Sequence, residues 1–257
     1  MKILFACLIF SITSSFAQTV QQPQIGLGFG WSYVAVKTPT TSPFTYKNSS
    51  VPFQLFFNND GAKNRHFVQV FYQASELKDA VGNSLDETRG GLQYSYHRRV
   101  SVLKNGLAIY GGGILNGQAS IRQGTGVNSE DGNVFVGLDA SVLAIYNKNK
   151  NKFEGQFATT LLAYTISQEY GLTPPPVVND APLKGESDAS LAVKLGKWSS
   201  VGSFYQFTLR LSYERSLSKR FSARADYRWN FYKFRNEPVF GSLSNQLIAS
   251  LVYKFKP

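Results

Sequence analysis

Apolar and polar residues alternate along most of this chain. In Phe221–Phe234 the residues Phe221, Ala223, Ala225, Tyr227, Trp229 and Phe231 fall on one face. Ser222, Arg224, Asp226, Arg228, Asn230 and Tyr232 fall on the other. A period of two predicts a strand, because successive side chains on a strand point to opposite faces. The apolar face is long and aromatic, and the other face is charged. Such a strand packs its apolar face either on a soluble core or against lipid, with the charged face then meeting a lumen.

The same pattern recurs. Ile25, Leu27, Phe29, Trp31 and Tyr33 alternate with Gly26, Gly28, Gly30 and Ser32. Val68, Val70 and Tyr72 oppose Gln69, Phe71 and Gln73, and Leu92, Tyr94 and Tyr96 oppose Gln93, Ser95, His97 and Arg99. Val134 to Ala144 alternate with Gly137, Asp139 and Ser141. Tyr205, Phe207, Leu209, Leu211 and Tyr213 oppose Gln206, Thr208, Arg210, Ser212 and Glu214. The segment 153–166 starts in the same way and then turns apolar on both faces. No stretch reads as a long amphipathic helix, so the fold class is all-β.

The connectors are of two kinds. NNDGAKN, VLKNG, NKNKNK and SLSK are short, whereas the segments near 37–50, 77–88, 123–132, 167–187 and 236–244 are longer. Long and short connectors alternating along the chain predict a transmembrane antiparallel up-and-down β-barrel with both termini at the short-turn end. About ten strands satisfy the even-number rule if Asp188–Trp198 is a hairpin arm or short helix within one long outer loop. Twelve is the alternative, if that loop supplies two strands.

Composition narrows the picture. Lys2, an apolar run from Ile3 to Phe10 and Ser15-Phe16-Ala17 form a secretory signal with cleavage after Ala17. The domains are then a signal peptide, 1–17, and a barrel domain, 18–257. Cys7 is the one cysteine. It lies inside the signal, so the mature chain has no disulfide and no cysteine-based metal site. The formal charge of +11 becomes +10 without Lys2. An exported basic chain suggests anionic partners such as outer-membrane lipid, lipopolysaccharide or a small anionic solute. Nucleic acid does not fit, since no basic helix is present. Neither a cofactor motif nor a metal constellation appears: GLGFG at Gly26–Gly30 lacks dinucleotide spacing, and NSEDG at Asn128–Gly132 lacks calcium-loop spacing.

The signal, the aromatic alternating strands and the C-terminal LIASLVYKF together resemble Gram-negative outer-membrane β-barrel proteins. The resemblance covers the whole mature chain and implies an outer-membrane location. It also implies recognition of Leu247–Phe255 by the outer-membrane assembly machinery. In such proteins the aromatic residue usually ends the chain, whereas Lys256 and Pro257 follow Phe255 here. The resemblance implies an architecture that serves many functions.

Within a barrel the charged faces converge. A three-residue SLSK turn sets Arg210 opposite Asp226; a shift of two residues sets Glu214 opposite Arg224. Either register gathers Arg210, Glu214, Arg224, Asp226 and Arg228 on the lumen side, with Lys254 on the next strand and Arg99 on another wall. These residues form either a basic solute-binding constriction or a salt-bridged plug, since a small barrel is largely filled by its own side chains. Ser95 and His97 share a face with their Cα atoms about 7 Å apart, and they are the candidate catalytic pair of a lipid-modifying hydrolase. Outer-membrane lipid A deacylases place such a pair in the order His-x-Ser, the reverse of the order here. His66 reads as a solvated turn residue. The long Pro-rich segment around Pro174–Pro176 is the candidate for adhesion or partner binding.

Overall fold

The structure is a computed structural model that describes residues 22–37, 44–61, 63–124, 130–169, 196–235 and 241–255. The signal segment, Asn128 and Ser129 of NSEDG and the stretch around Pro174–Pro176 lie outside these residues, whereas Glu130–Gly132, expected in a solvated loop, begin a strand. All regular structure among the described residues is strand: β1 (Gln22–Lys37), β2 (Thr45–Ser50), β3 (Phe53–Asp60), β4 (Asn64–Lys78), β5 (Ser84–Val102), β6 (Leu107–Gly124), β7 (Glu130–Lys148), β8 (Asn151–Glu169), β9 (Lys197–Ser200), β10 (Phe204–Ser216), β11 (Phe221–Phe234) and β12 (Gly241–Lys254). Every pairing is antiparallel, and β1–β12 together with β8–β10 closes the sheet into a ring.

Twelve segments occupy ten positions in that ring. β2 and β3 are one strand, because both keep a single register against β1, with Ser32 opposite Ser50 and Phe29 opposite Phe53. The break falls at Pro52, which has no N–H to give to the ladder. Its carbonyl still accepts from the Gly30 amide at 3.3 Å. β9 and β10 likewise follow each other along β8, which pairs first with Lys197–Ser200 and then with Phe207–Arg215. Between them Val201–Ser203 turns outward, with Gly202 at φ 142°. Ten positions match the expected strand number. Residues 188–195 are outside the described set, but Lys197 and Trp198 belong to the barrel wall and not to a separate hairpin arm.

The expected long connectors proved shorter: β2 takes Thr45–Ser50 out of the 37–50 segment, and β12 begins at Gly241 within the 236–244 segment. The 77–88 segment was expected as a long loop. In the structure β4 runs to Lys78 and β5 begins at Ser84, so the connection is 79–83. Asp79 closes it by accepting from the Val81 and Asn83 amides, both at 2.9 Å. On the outer face of β4 the apolar run ends at Ala74. The sheet continues past it, with Glu76, Lys78 and Asp86 exposed on the outer side. β5, β7 and β8 each reach 19 residues, whereas β11 and β12 have 14.

The outer wall is a belt of exposed apolar side chains, including Phe29 (67% exposed), Tyr72, Leu92, Leu115, Val142 and Leu247. Charges on the outward face lie near strand ends. That arrangement suits lipid, and closure leaves no bare backbone edge, which hydrocarbon would penalise by several kcal/mol per group. The inward face changes along the axis. At the short-turn end it is charged and in the middle it is rich in amides. At the opposite end Val34, Val36, Leu77, Leu85, Phe135 and Phe204 form a buried apolar cluster. Phe135, Phe204, Tyr232 and Phe234 contact one another there as tilted or edge-on rings.

Candidate functional site in the lumen

The lumen is assembled by strand phase. In each strand the residues between the apolar ones point inward, so distant parts of the sequence meet on the barrel axis. The β10–β11 hairpin takes the second of the two expected registers: Glu214 faces Arg224, Ser212 faces Asp226 and Arg210 faces Arg228. Arg210, Glu214, Arg224 and Asp226 are all buried.

Two further walls complete this cluster. Glu154 on β8 is its hub. Arg65 from β4 lies 2.7 Å from one carboxylate oxygen and Lys152 lies 2.8 Å from the same oxygen. Arg224 lies 3.1 Å from the other, with Arg210 more distant at 3.9 Å. Asp226 takes the Arg224 Nε at 2.9 Å and also accepts from Ser212. Asp60 pairs with Arg65 at 2.9 Å and with Lys152. Lys254 reaches Glu214 at 3.3 Å and donates to Ser216 at 2.8 Å. Two guanidiniums also lie over rings, Arg210 at 4.5 Å from the Phe67 centroid and Arg224 at 5.2 Å from Phe56. Buried charges need such mutual pairing, since an unpaired one costs several kcal/mol to desolvate.

The glycines of β1 make room for this packing. A Cβ on Gly26 would lie 2.2 Å from the Phe56 ring, and one on Gly28 would lie 2.1 Å from Ser250 Oγ. These are the lumen-facing glycines of GLGFG, and their role is space.

A second ionic group lies nearer the long-loop end. Arg89 and Arg122 bind Glu87 at 3.0 and 2.9 Å, and Arg89 also donates to Ser242 at 3.0 Å. Between the two groups run amides: Gln69 donates to Gln54 at 2.9 Å, and Gln246 donates to Gln73 at 3.0 Å. Arg228 donates to Gln69 at 2.7 Å. A cavity of about 50 Å³ lies beside Arg89, Arg228, Asp139, Asn116, Gln206 and Gln246. At the short-turn mouth a polar vestibule of about 470 Å³ is bordered by Arg99, Lys152, Glu214 and Lys254.

Some expectations were corrected here. Arg99 is exposed at the vestibule rim and is not part of the buried network. The ladder shifts register between Arg99 and Ser101, at the end of β5. Ser95 and His97 share the lumen face and are both buried, but the histidine is engaged elsewhere. Its Nε2 lies 3.0 Å from Ser141 Oγ and 3.4 Å from Gln156 Nε2. The pair therefore faces away from the lipid wall, and His97 bonds residues of β7 and β8, two and three strands along. His66 is not a turn residue. It sits on the outer face of β4, 2.9 Å from the Tyr94 hydroxyl and against the Tyr96 ring.

Glu154, Arg65, Arg89, Glu87 and Asp139 were not singled out from the sequence. Their phase was visible, since Arg65 is in step with Gln69 and Gln73, and Glu87 and Arg89 are in step with Gln93.

No protein-family model matches the chain, and no curated protein matches it in sequence. Solved structures share its fold. The outer membrane protease OmpT from Escherichia coli superposes with a TM-score of 0.56 at 9% identity, over 92% of this chain and 98% of that one. The translocator domain of autotransporter NalP from Neisseria meningitidis gives 0.50 at 8% identity, over 99% and 96%. At these identities the likeness is one of fold: a Gram-negative outer-membrane type of β-barrel.

Proposed function

We propose that the protein is a non-enzymatic outer-membrane barrel whose lumen is a narrow, polar passage, closed at rest and admitting at most small anionic or polar solutes. The observation that carries this reading is the ionic network centred on Glu154. It spans the bore from β4 through β8 to β11. The apolar cluster at the opposite end supports the same reading, because a dry constriction is itself a barrier to ions. Between these two regions the lumen is polar and carries Arg89, Arg122 and Arg228. Lipid and lipopolysaccharide are the surroundings we assign to the outer wall. Strand β12, which forms the seam with β1, is the segment we assign to recognition by the assembly machinery.

The test is single-channel recording of the refolded mature protein in a planar bilayer under a salt gradient. The expected record is a closed barrel with rare brief openings that favour anions. A steady wide conductance, or openings that favour cations, would overturn the reading.

A further inference from the structure

We propose that the mid-lumen cavity is a binding site for a small planar oxoanion, a carboxylate or an inorganic anion of the same shape, held between Arg89 and Arg228. The inference rests on the reading of the lumen as closed and polar, but it does not require flux.

Arg89 is 2% exposed and borders the cavity. Its NH2 is occupied by Glu87 and Ser242. Arg228 borders the same cavity and has no carboxylate within ion-pair distance among the described residues. Its recorded acceptor is the neutral Gln69. The two arginines are brought together through neighbours: Arg89 lies opposite Gln73, which accepts from Gln246, and Gln246 lies opposite Arg228. Asp139 is on the cavity wall but is not their counter-ion. Thr160 donates to one of its oxygens at 2.7 Å and Asn116 to the other.

A guanidinium held in a barrel without a paired carboxylate is costly, and an anion offsets that cost more fully than water does. The guanidinium fork matches planar carboxylate geometry in particular. A space of about 50 Å³ corresponds to roughly four water positions. That limits the ligand to about three to five heavy atoms.

The test uses the refolded mature barrel in detergent, titrated at constant ionic strength with sodium formate, sodium nitrate and the bulky gluconate. The readouts are the heat-denaturation midpoint and titration calorimetry. Formate and nitrate are expected to raise the midpoint saturably, with gluconate without effect. Arg228→Gln is expected to weaken the apparent affinity by about tenfold or more. This variant removes no ion pair, so it should fold. Arg89→Gln is expected to behave in the same way and serves as a second variant if its fold is verified by circular dichroism. Equal midpoints with all three anions, or an Arg228→Gln variant that responds like the parent, would overturn the site. Conductance is recorded on the same preparations. A closed barrel without an anion response defeats the site and leaves the closed-lumen reading standing. A wide conductance with saturable formate binding defeats that reading and leaves the site.

Discussion

Arg65 on β4 reaches across the bore to Glu154 on β8, with 2.7 Å between guanidinium and carboxylate. Each side chain is about 2% exposed. The strands that carry them stand four positions apart in a ring of ten, so the contact ties nearly opposite walls.

Glu154→Gln keeps the shape of that hub and removes its charge, leaving Arg65, Lys152 and Arg224 to share fewer carboxylates. Breaking a buried pair from one side costs about 3–5 kcal/mol. The expected result in urea or heat denaturation of the refolded barrel is a loss of that order. A loss below about 1 kcal/mol, the scale of an exposed surface pair, would show that the network is wetted and dispensable.

Phe29 is the most direct probe of the membrane reading. It is 67% exposed, pairs with Ala249 and sits near the middle of the apolar belt. Phe29→Arg would be nearly silent on a soluble protein. On a barrel in lipid an arginine near the midplane costs about 2–4 kcal/mol. Folding into vesicles, measured by the heat-modifiable shift on gels, should fall accordingly. Unchanged folding would place this face in water.

Gly26→Ala is expected to destabilise, because its new Cβ meets the Phe56 ring at 2.2 Å. Overpacking of this kind costs about 1–3 kcal/mol. Phe56→Leu in the same chain should restore part of the loss, since a smaller side chain vacates the contact. Denaturation of both single variants and the double variant reads the coupling, and strictly additive effects would argue against the contact.

His97→Ala should leave lipid A unaltered. With the imidazole directed at Ser141 and Gln156 inside the bore, no acyl chain reaches it from the outer wall. Mass spectrometry of lipid A from cells with and without the protein decides the matter. Acyl loss that depends on His97 would establish the hydrolase.

Strand faces were legible because a period of two is a local property. Every inward residue of Phe221–Phe234 can be named from Phe221 alone. Contacts between strands were not legible. His97 meets Ser141 because the β5–β6 and β6–β7 registers stand His97, Gly112 and Ser141 in one row, and no spacing along the chain encodes those registers. The apolar cluster at the long-loop end left a trace. Segment 153–166 turns apolar on both faces, partly because Ala163 joins that cluster and partly because β8 slips phase where Leu161 and Leu162 both face outward. His66 was misplaced because Arg65 and Asn64 beside it resemble a turn. In the structure Arg65 points inward to the ion network while His66 joins the tyrosines outside.

The β4–β5 hairpin carries paired strand past the apolar belt. Beside its tight 79–83 connection Glu76, Lys78 and Asp86 stand exposed on the outer side. A molecule drifting along the cell surface meets both signs of charge there on fixed strands. That part of the rim can be engaged without the lumen taking part.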